Sequence, residues 1–288
     1  MIKGIIDTHI HVWNLEKAEY SWLKNDTSIL NKTYSIEQLS PLISKANVTQ
    51  GILVQAANNF DDTDIMLTTA SKTDWIKGVV GWLPLIDPEA TVKALNEKYL
   101  DNLYFKGCRH LIHNEASPQW LLQDSVMASL NILASYKIPY DVVGINTAHL
   151  ETAIQVAERL PALRIVLDHL NQPPIASKER FGRWGELMKE ISLHDNVYAK
   201  ISGLGSSASD GDRWAKDDLK PYLMYAIEVF GTSRCFCGGD WPIALLAGPY
   251  EKAWLAYQEI VAEELAMEEQ EKVLYKNADS FYNLSNLS

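Results

Sequence analysis

Three cysteines in 288 residues are too few for a disulfide framework, and Cys235 and Cys237, two apart on one apolar run, are too close to bridge easily. A reducing, cytoplasmic setting is the expectation. No stretch approaches the roughly 20 apolar residues of a membrane-spanning helix. Met1 to Asp7 leads straight into a short apolar strand with no basic region and no small-residue cleavage site, so no signal peptide is expected. Positive charge is scarce: 26 Lys and Arg stand against 37 Asp and Glu, and the net charge of -11 repels nucleic-acid phosphates and anionic lipid. Nucleic acid and membrane are therefore excluded as partners and a small molecule is expected, while composition leaves a homo-oligomer open. A glycine-rich phosphate loop is also missing, since the first apolar run ends in Asp7-Thr8-His9-Ile10-His11.

What is present is a repeat of apolar, β-branched runs: Gly4–Val12, Gln50–Ala56, Ile76–Leu85, Phe105–Ile112, Ile138–Gly144, Arg164–Leu170, Val197–Leu204 and Cys235–Trp241. Between them, helical periodicity predicts helices over Ser35–Ala46, Asp61–Lys72, Pro88–Leu100, Gln119–Tyr136, Asn146–Leu160, Phe181–Leu193, Asp218–Phe230 and Tyr250–Leu265. Nearly continuous apolar strands alternating with helices imply a parallel sheet buried on both faces. From Gly4 to Cys235 is 231 residues over seven intervals, or 33 per unit, and eight such units close into a (β/α)₈ TIM barrel. The predicted fold is thus α/β, with residues 1–288 forming a single barrel domain. A doubly wound open sheet is the rival, weakened by the strand count and the missing glycine fingerprint. Pro88, Pro118 and Pro249 suit helix first turns, and Gly231 suits a helix end. Leu204–Lys216 and Asn14–Thr33 are long loops at the barrel mouth, to be read either as lids or as ordinary surface loops.

In such a barrel the C-terminal strand ends face the active site, and here they are unusually polar. His9 and His11, two apart on a strand, project from one face and, preceded by Asp7, make a chelating pattern. Asp240 lies in Gly238-Gly239-Asp240-Trp241-Pro242, where two glycines let the backbone bend, and it reads either as a base facing the pore or as a helix N-cap. His169 closes the sixth strand; strand alternation directs the preceding Asp168 to the opposite face, so Asp168 is left out of the site. Arg109 suits a substrate oxygen or carboxylate, or else a rim salt bridge to Asp141. Gln55, Trp82, Lys200 and Ser202 complete the strand ends, with His110 and His113 just after the fourth. Trp13, Trp82 and Trp241 offer aromatic planes for a sugar ring. His149 and His194 read as surface residues.

The order Ile-Asp-Thr-His-x-His on the first strand, Asp-His on the sixth and Gly-Gly-Asp-Trp-Pro on the eighth resembles the amidohydrolase superfamily. The run Lys106–His110 and the ending Asp240–Pro242 are most similar to its lactonase branch, which includes L-fuconolactonase, L-rhamnonolactonase and pyrone-dicarboxylate lactonase. The likeness extends from Gly4 to about Leu284. It implies a barrel hydrolase that opens a sugar-acid lactone, with His9, His11, His169 and Asp240 as the catalytic centre. Arg109 becomes a substrate contact; Trp82, Gln55, Asp141, Lys200 and Trp241 are the further substrate contacts expected from their positions at the strand ends. The fourth strand offers Arg109 and the fifth Tyr140-Asp141, so the resemblance disfavours a binuclear metal centre. It leaves two options: no cofactor, or a single divalent metal, zinc first, on His9, His11 and Asp240.

The expected reaction is hydrolysis of a neutral lactone such as L-fucono-, L-rhamnono- or L-galactono-lactone, with Asp240 activating water. A neutral ring is preferred to a dicarboxylate because the strand ends carry only one arginine and one lysine. The alternatives are a metal-dependent amidase, phosphoesterase or decarboxylase on the same barrel, and a catalytically silent barrel that binds a sugar acid.

Overall fold

A computed structural model describes residues 3–208 and 211–285. Eight parallel strands follow one another around a single sheet: β1 (Ile6–Ile10), β2 (Gln50–Val54), β3 (Ile76–Gly81), β4 (Phe105–His110), β5 (Tyr140–Val142), β6 (Ile165–Leu167), β7 (Val197–Ile201) and β8 (Cys235–Cys237). Each lies within the run that predicted it. The sheet closes beyond the end of β8: Ile10 bridges Trp241 in parallel, Asp240 donates its N–H to the His9 carbonyl, and His11 donates to the Trp241 carbonyl. The result is a (β/α)₈ barrel.

The crossover helices carry local start signals. Asn59 caps the helix Phe60–Ala70 by accepting from the Asp62 N–H, and Asn146 caps the helix Thr147–Arg159 through the His149 N–H. Pro88 opens the helix Pro88–Ala94 behind an Asp87 cap, and Gly231, at φ 73°, ends the helix over Lys216–Phe230. Other expectations shift. Pro249 stands at the N-cap of the Tyr250–Glu264 helix rather than within its first turn, and Pro118 precedes a 3₁₀ turn at Trp120–Leu122. The helix expected over Ser35–Ala46 breaks into Ile36–Leu39 and a 3₁₀ turn at Ile43–Ala46.

The chain beyond Leu265 had no predicted role. Met267–Glu271, Lys272–Lys276 and Asn277–Tyr282 form a helical tail that closes the N-terminal end of the barrel. Its Tyr275, Ala278, Phe281 and Tyr282 pack with the inward side chains Ile6, Ile52, Val54, Val80, Val166 and Phe236. Burying each large apolar side chain there contributes about 1.5–3 kcal/mol. The lower half of the barrel is therefore apolar and filled, and polar side chains are confined to its upper half.

Candidate active site

Strand alternation assigns most of the site. With Tyr198 and Phe236 facing inward, Lys200 and Ser202 follow on β7, and Gly238 and Asp240 follow β8. On β1 the pairing register slips between Asp7 and Ile10, and this irregularity lets both Ile6 and His9 face the interior. Asp7 turns away from the histidines. Its carboxylate accepts from the Tyr250 hydroxyl at 2.7 Å, the Trp254 indole at 3.2 Å and the backbone N–H groups of His9 and Gly239, and so fastens the last crossover helix. The chelating pattern thus excludes Asp7.

The largest departure from expectation lies at β6. Alternation carries Val166 inward and Asp168 with it; the left-handed turn at His169 (φ 54°) then swings that imidazole back to the same side. Asp168 and His169 both enter the site. Asp168, fully buried, lies 2.9 Å from Arg109 Nη1, 2.8 Å from Lys200 Nζ and 3.5 Å from His9 Nδ1. Burial alone would raise its pKa, but Lys200, His9 and Arg109 outweigh burial and hold the carboxyl well below the ordinary range. The alternative rim pair of Arg109 with Asp141 does not form. Asp141 instead binds Lys200 Nζ at 2.5 Å and the Tyr282 hydroxyl at 2.7 Å; burial pushes its carboxyl up to about 6, against the pull of Lys200. Two cations and two carboxylates form a charge-balanced layer across the barrel.

Above this layer, His9 Nε2 and His11 Nε2 lie 3.2 Å apart, and Asp240 Oδ1 is 3.8 Å from the first and 3.5 Å from the second. His169 Nδ1 is 4.0 Å from Asp240 Oδ2 and 2.9 Å from Ser202 Oγ. Burial lowers His9 well below its usual pKa and lowers His169, so both imidazoles are neutral near pH 7. Asp240 occupies a left-handed backbone position (φ 58°). The bend falls on Asp240 itself rather than on the glycines, whose smallness serves close approach: a Cβ on Gly239 would meet Asp7 Oδ2 at 2.5 Å, and one on Gly238 would meet His9 Cβ at 2.7 Å. The carboxylate faces the histidines, and only the Asp240 backbone carbonyl accepts from the following turn, at Ala244.

These groups open onto a cavity of about 290 Å³ lined by His11, Arg109, His169 and Asp240. The remaining wall is largely apolar and includes Trp13, Trp22, Leu111, Val143 and Ile243. His9 lies just beneath. Among the other expected substrate contacts, Gln55, Asp141, Lys200, Trp82 and Trp241 do not reach the cavity wall. Gln55 holds Arg109: its carbonyl accepts from Nη2, and its Oε1 accepts from Nε at 3.3 Å. Asp141 and Lys200 belong to the charge layer below. Trp82 donates to His110 Nδ1 at 3.1 Å, and Trp241 packs edge-on against Tyr34. Sequence reasoning gave no role to Asp168, Trp22, His113 and Ser206; the inward parity of Asp168 with Val166 was the available signal.

The first long loop is not open. Trp13 and Tyr34 pair through both backbone groups, and Trp22 donates to the Ala56 carbonyl, which pins the first loop across the cavity. In the second, Leu204–Ala208 forms a short helix that contributes Ser206 and Ser207 to the wall, and residues 209–210 lie outside the described residues. His149 is buried rather than superficial, its Nδ1 accepting from the Ile145 N–H at 3.3 Å.

Two groups have ligand atoms close enough for one cation: His9, His11 and Asp240, and His9, Asp168 and His169. The first fits zinc. Ligand atoms about 2.0–2.1 Å from a tetrahedral ion stand about 3.4 Å apart, close to the spacings above. His11 Nδ1 lies 2.7 Å from the Val54 carbonyl and donates to it, leaving Nε2 unprotonated as a ligand must be. In the second group Asp168 is already paired with Arg109 and Lys200.

A parallel barrel with imidazoles and a carboxylate at its C-terminal mouth defines a barrel hydrolase. The chain belongs to the amidohydrolase family, whose profile matches residues 6–284. It is 30% identical to an L-fucono-1,5-lactonase of Burkholderia ambifaria, over 97% of this chain and 95% of that protein. A second L-fucono-1,5-lactonase, from Burkholderia multivorans, is 29% identical over 86% of this chain and 85% of its own length. An amidohydrolase of Burkholderia multivorans crystallised with bound zinc superposes with a TM-score of 0.90 at 26% identity, covering 98% of this chain and 99% of that one. No helix among the described residues is long and apolar enough to cross a membrane.

Proposed function

We propose that this enzyme hydrolyses a neutral sugar-acid lactone, such as L-fucono-, L-rhamnono- or L-galactono-lactone, with Asp240 as the base. The observation that carries this reading is the convergence of Asp240, His11, His169 and Arg109 on one small, mostly apolar cavity, in a chain resembling L-fucono-1,5-lactonases along nearly its whole length. The lactone ring binds against Trp13 and Trp22, with its carbonyl oxygen toward Arg109. Asp240 takes a proton from water as the water oxygen bonds to the carbonyl carbon. Arg109, held rigid by Gln55 and Asp168, stabilises the oxyanion. The ring C–O bond then breaks, and the proton held by Asp240 returns to the departing oxygen, which His169 orients. A zinc on His9, His11 and Asp240 would polarise the carbonyl and acidify the water.

Arg109 is the one cationic side chain among the described residues lining the cavity, and Asp168 already balances it. No cation is left over to clamp a dicarboxylate, and the apolar wall favours a ring that bears a methyl group. Three buried, unpaired thiols support a cytoplasmic location.

The test is proton release from a panel of L- and D-sugar lactones, with metal-analysed protein before and after chelation. Turnover of one neutral lactone is the expected result. Its survival after chelation would assign the chemistry to side chains alone, and its loss would place a metal on His9, His11 and Asp240. Faster turnover of pyrone dicarboxylate, or silence on every lactone, would overturn the reading in favour of the dicarboxylate or of amide or phosphoester substrates.

A further inference from the structure

The carboxylate of Asp62, in the first turn of the helix Phe60–Ala70, is fully buried and has no part in the proposed hydrolytic steps. It accepts hydrogen bonds from three uncharged donors: the Tyr20 hydroxyl at 2.8 Å, the Ala56 N–H at 2.8 Å and the Ala57 N–H at 3.3 Å. Burial pushes its pKa up to about 6, so it is ionised near pH 7 and all three partners donate. Burying a charge among neutral donors is costly, and its place invites a reason. The donors come from two segments that meet at the cavity. Ala56 and Ala57 follow β2; Ala56 lines the cavity, and its carbonyl accepts from the Trp22 indole at 2.8 Å. Tyr20 directly precedes the 3₁₀ turn Ser21–Leu23, which carries Trp22 into the cavity wall. Trp22 is therefore tied twice, by its own indole to the Ala56 carbonyl and by Tyr20, two residues earlier, to the carboxylate that holds the Ala56 N–H. A further bond runs beside these, from the Asn59 side chain to the Glu19 carbonyl at 2.9 Å.

We propose that Asp62 and Tyr20 are positioning residues, a latch that fastens the Ser21–Leu23 turn to the end of β2 and so holds the Trp22 ring where the lactone lies against it. The ring that binds there rests on the lactonase reading; the latch itself does not. A molecule whose latch is open has an incomplete cavity wall, and its apparent affinity falls by the fraction in which Trp22 is out of place.

The experiment measures lactone hydrolysis, and trypsin cleavage of the native protein after Lys24, an exposed residue directly following the turn. The proteins are the parent, Tyr20→Phe, Asp62→Asn, Trp22→Ala and Tyr20→Phe/Trp22→Ala. Tyr20→Phe removes only the loop's bond to the carboxylate and leaves the Ala56 and Ala57 bonds, and with them the neighbouring Gln55 and its hold on Arg109, in place. It should raise KM about tenfold, with kcat within about twofold of the parent, as expected for one hydrogen bond to a charged group. Cleavage after Lys24 should quicken by about the same factor, because local opening exposes that segment. Asp62→Asn should raise KM at least as much. In the Trp22→Ala background, Tyr20→Phe should change kcat/KM by less than about twofold, since the ring it positions is gone. The same loss in both backgrounds, a loss in kcat instead of KM, or cleavage no faster than in the parent would overturn the latch. Each of these is read on Tyr20→Phe, which lacks a single hydroxyl, so none depends on Asp62→Asn folding. A parent enzyme silent on all lactones would overturn the lactonase reading instead, and the cleavage comparison would still decide for or against the latch.

Discussion

Replacing Asp168 by Asn tests the charge layer that holds the site from below. The carboxylate is fully buried between Arg109 Nη1 at 2.9 Å and Lys200 Nζ at 2.8 Å. Asparagine preserves the shape and removes the charge. Lys200 keeps Asp141 at 2.5 Å, but Arg109 retains only uncharged partners, the oxygens of Gln55 and His9 Nε2, and one buried positive charge is left uncompensated. Breaking a buried pair in this way costs about 3–5 kcal/mol. With an unfolding entropy of about 2.1 cal/mol/K per residue over 288 residues, the melting temperature should fall by about 5–8 °C. Thermal unfolding followed by circular dichroism measures this directly. The double variant Asp168→Asn/Lys200→Met removes one charge of each sign, and its loss should be smaller than the sum of the single losses by at least about 1 kcal/mol. A melting temperature within about 1 °C of the parent, or strictly additive losses, would refute the claim that this layer is bound by opposed charges.

Asp240→Asn should lower kcat about 10²- to 10⁴-fold with lactone binding retained, as read by proton release and by calorimetric titration; unchanged turnover would remove Asp240 from the mechanism. Burial lowers His113 from 6.5 to about 4, so the folded state binds this proton more weakly than the unfolded chain does. The stability it contributes is full above 6.5 and is lost as pH falls through 4, amounting to at most about 3 kcal/mol. Urea midpoints should therefore fall more between pH 7.5 and 4.5 in the parent than in His113→Leu, and parallel curves would contradict the assignment. Gly203 has φ +61°, and an added Cβ would lie 2.8 Å from His169 Nδ1 and 3.0 Å from Asp240 Oδ2. Gly203→Ala should cost about 1–3 kcal/mol and reduce kcat, as measured by melting and steady-state kinetics.

The amino-acid sequence alone determined the barrel, because strand type, helix periodicity and repeat length are local properties, and 33 residues per unit admits few closed arrangements. It also brought forward His9, His11, His169 and Asp240, whose spacing on strand ends implies a shared face. Tertiary structure decided whatever depends on departure from regular backbone or on distant partners. The left-handed turn at His169 brings Asp168 and His169 to one side against strand alternation, and the register slip in β1 separates Asp7 from the histidines. Gln55, Asp141 and Lys200 stand at strand ends as expected, yet they serve buried charges rather than the cavity, because Arg109, Asp168 and Tyr282 approach from other parts of the chain. A side chain's partner inside a closed barrel is set by neighbours as many as 247 residues away, as in the Trp254–Asp7 bond, and no local pattern encodes that distance.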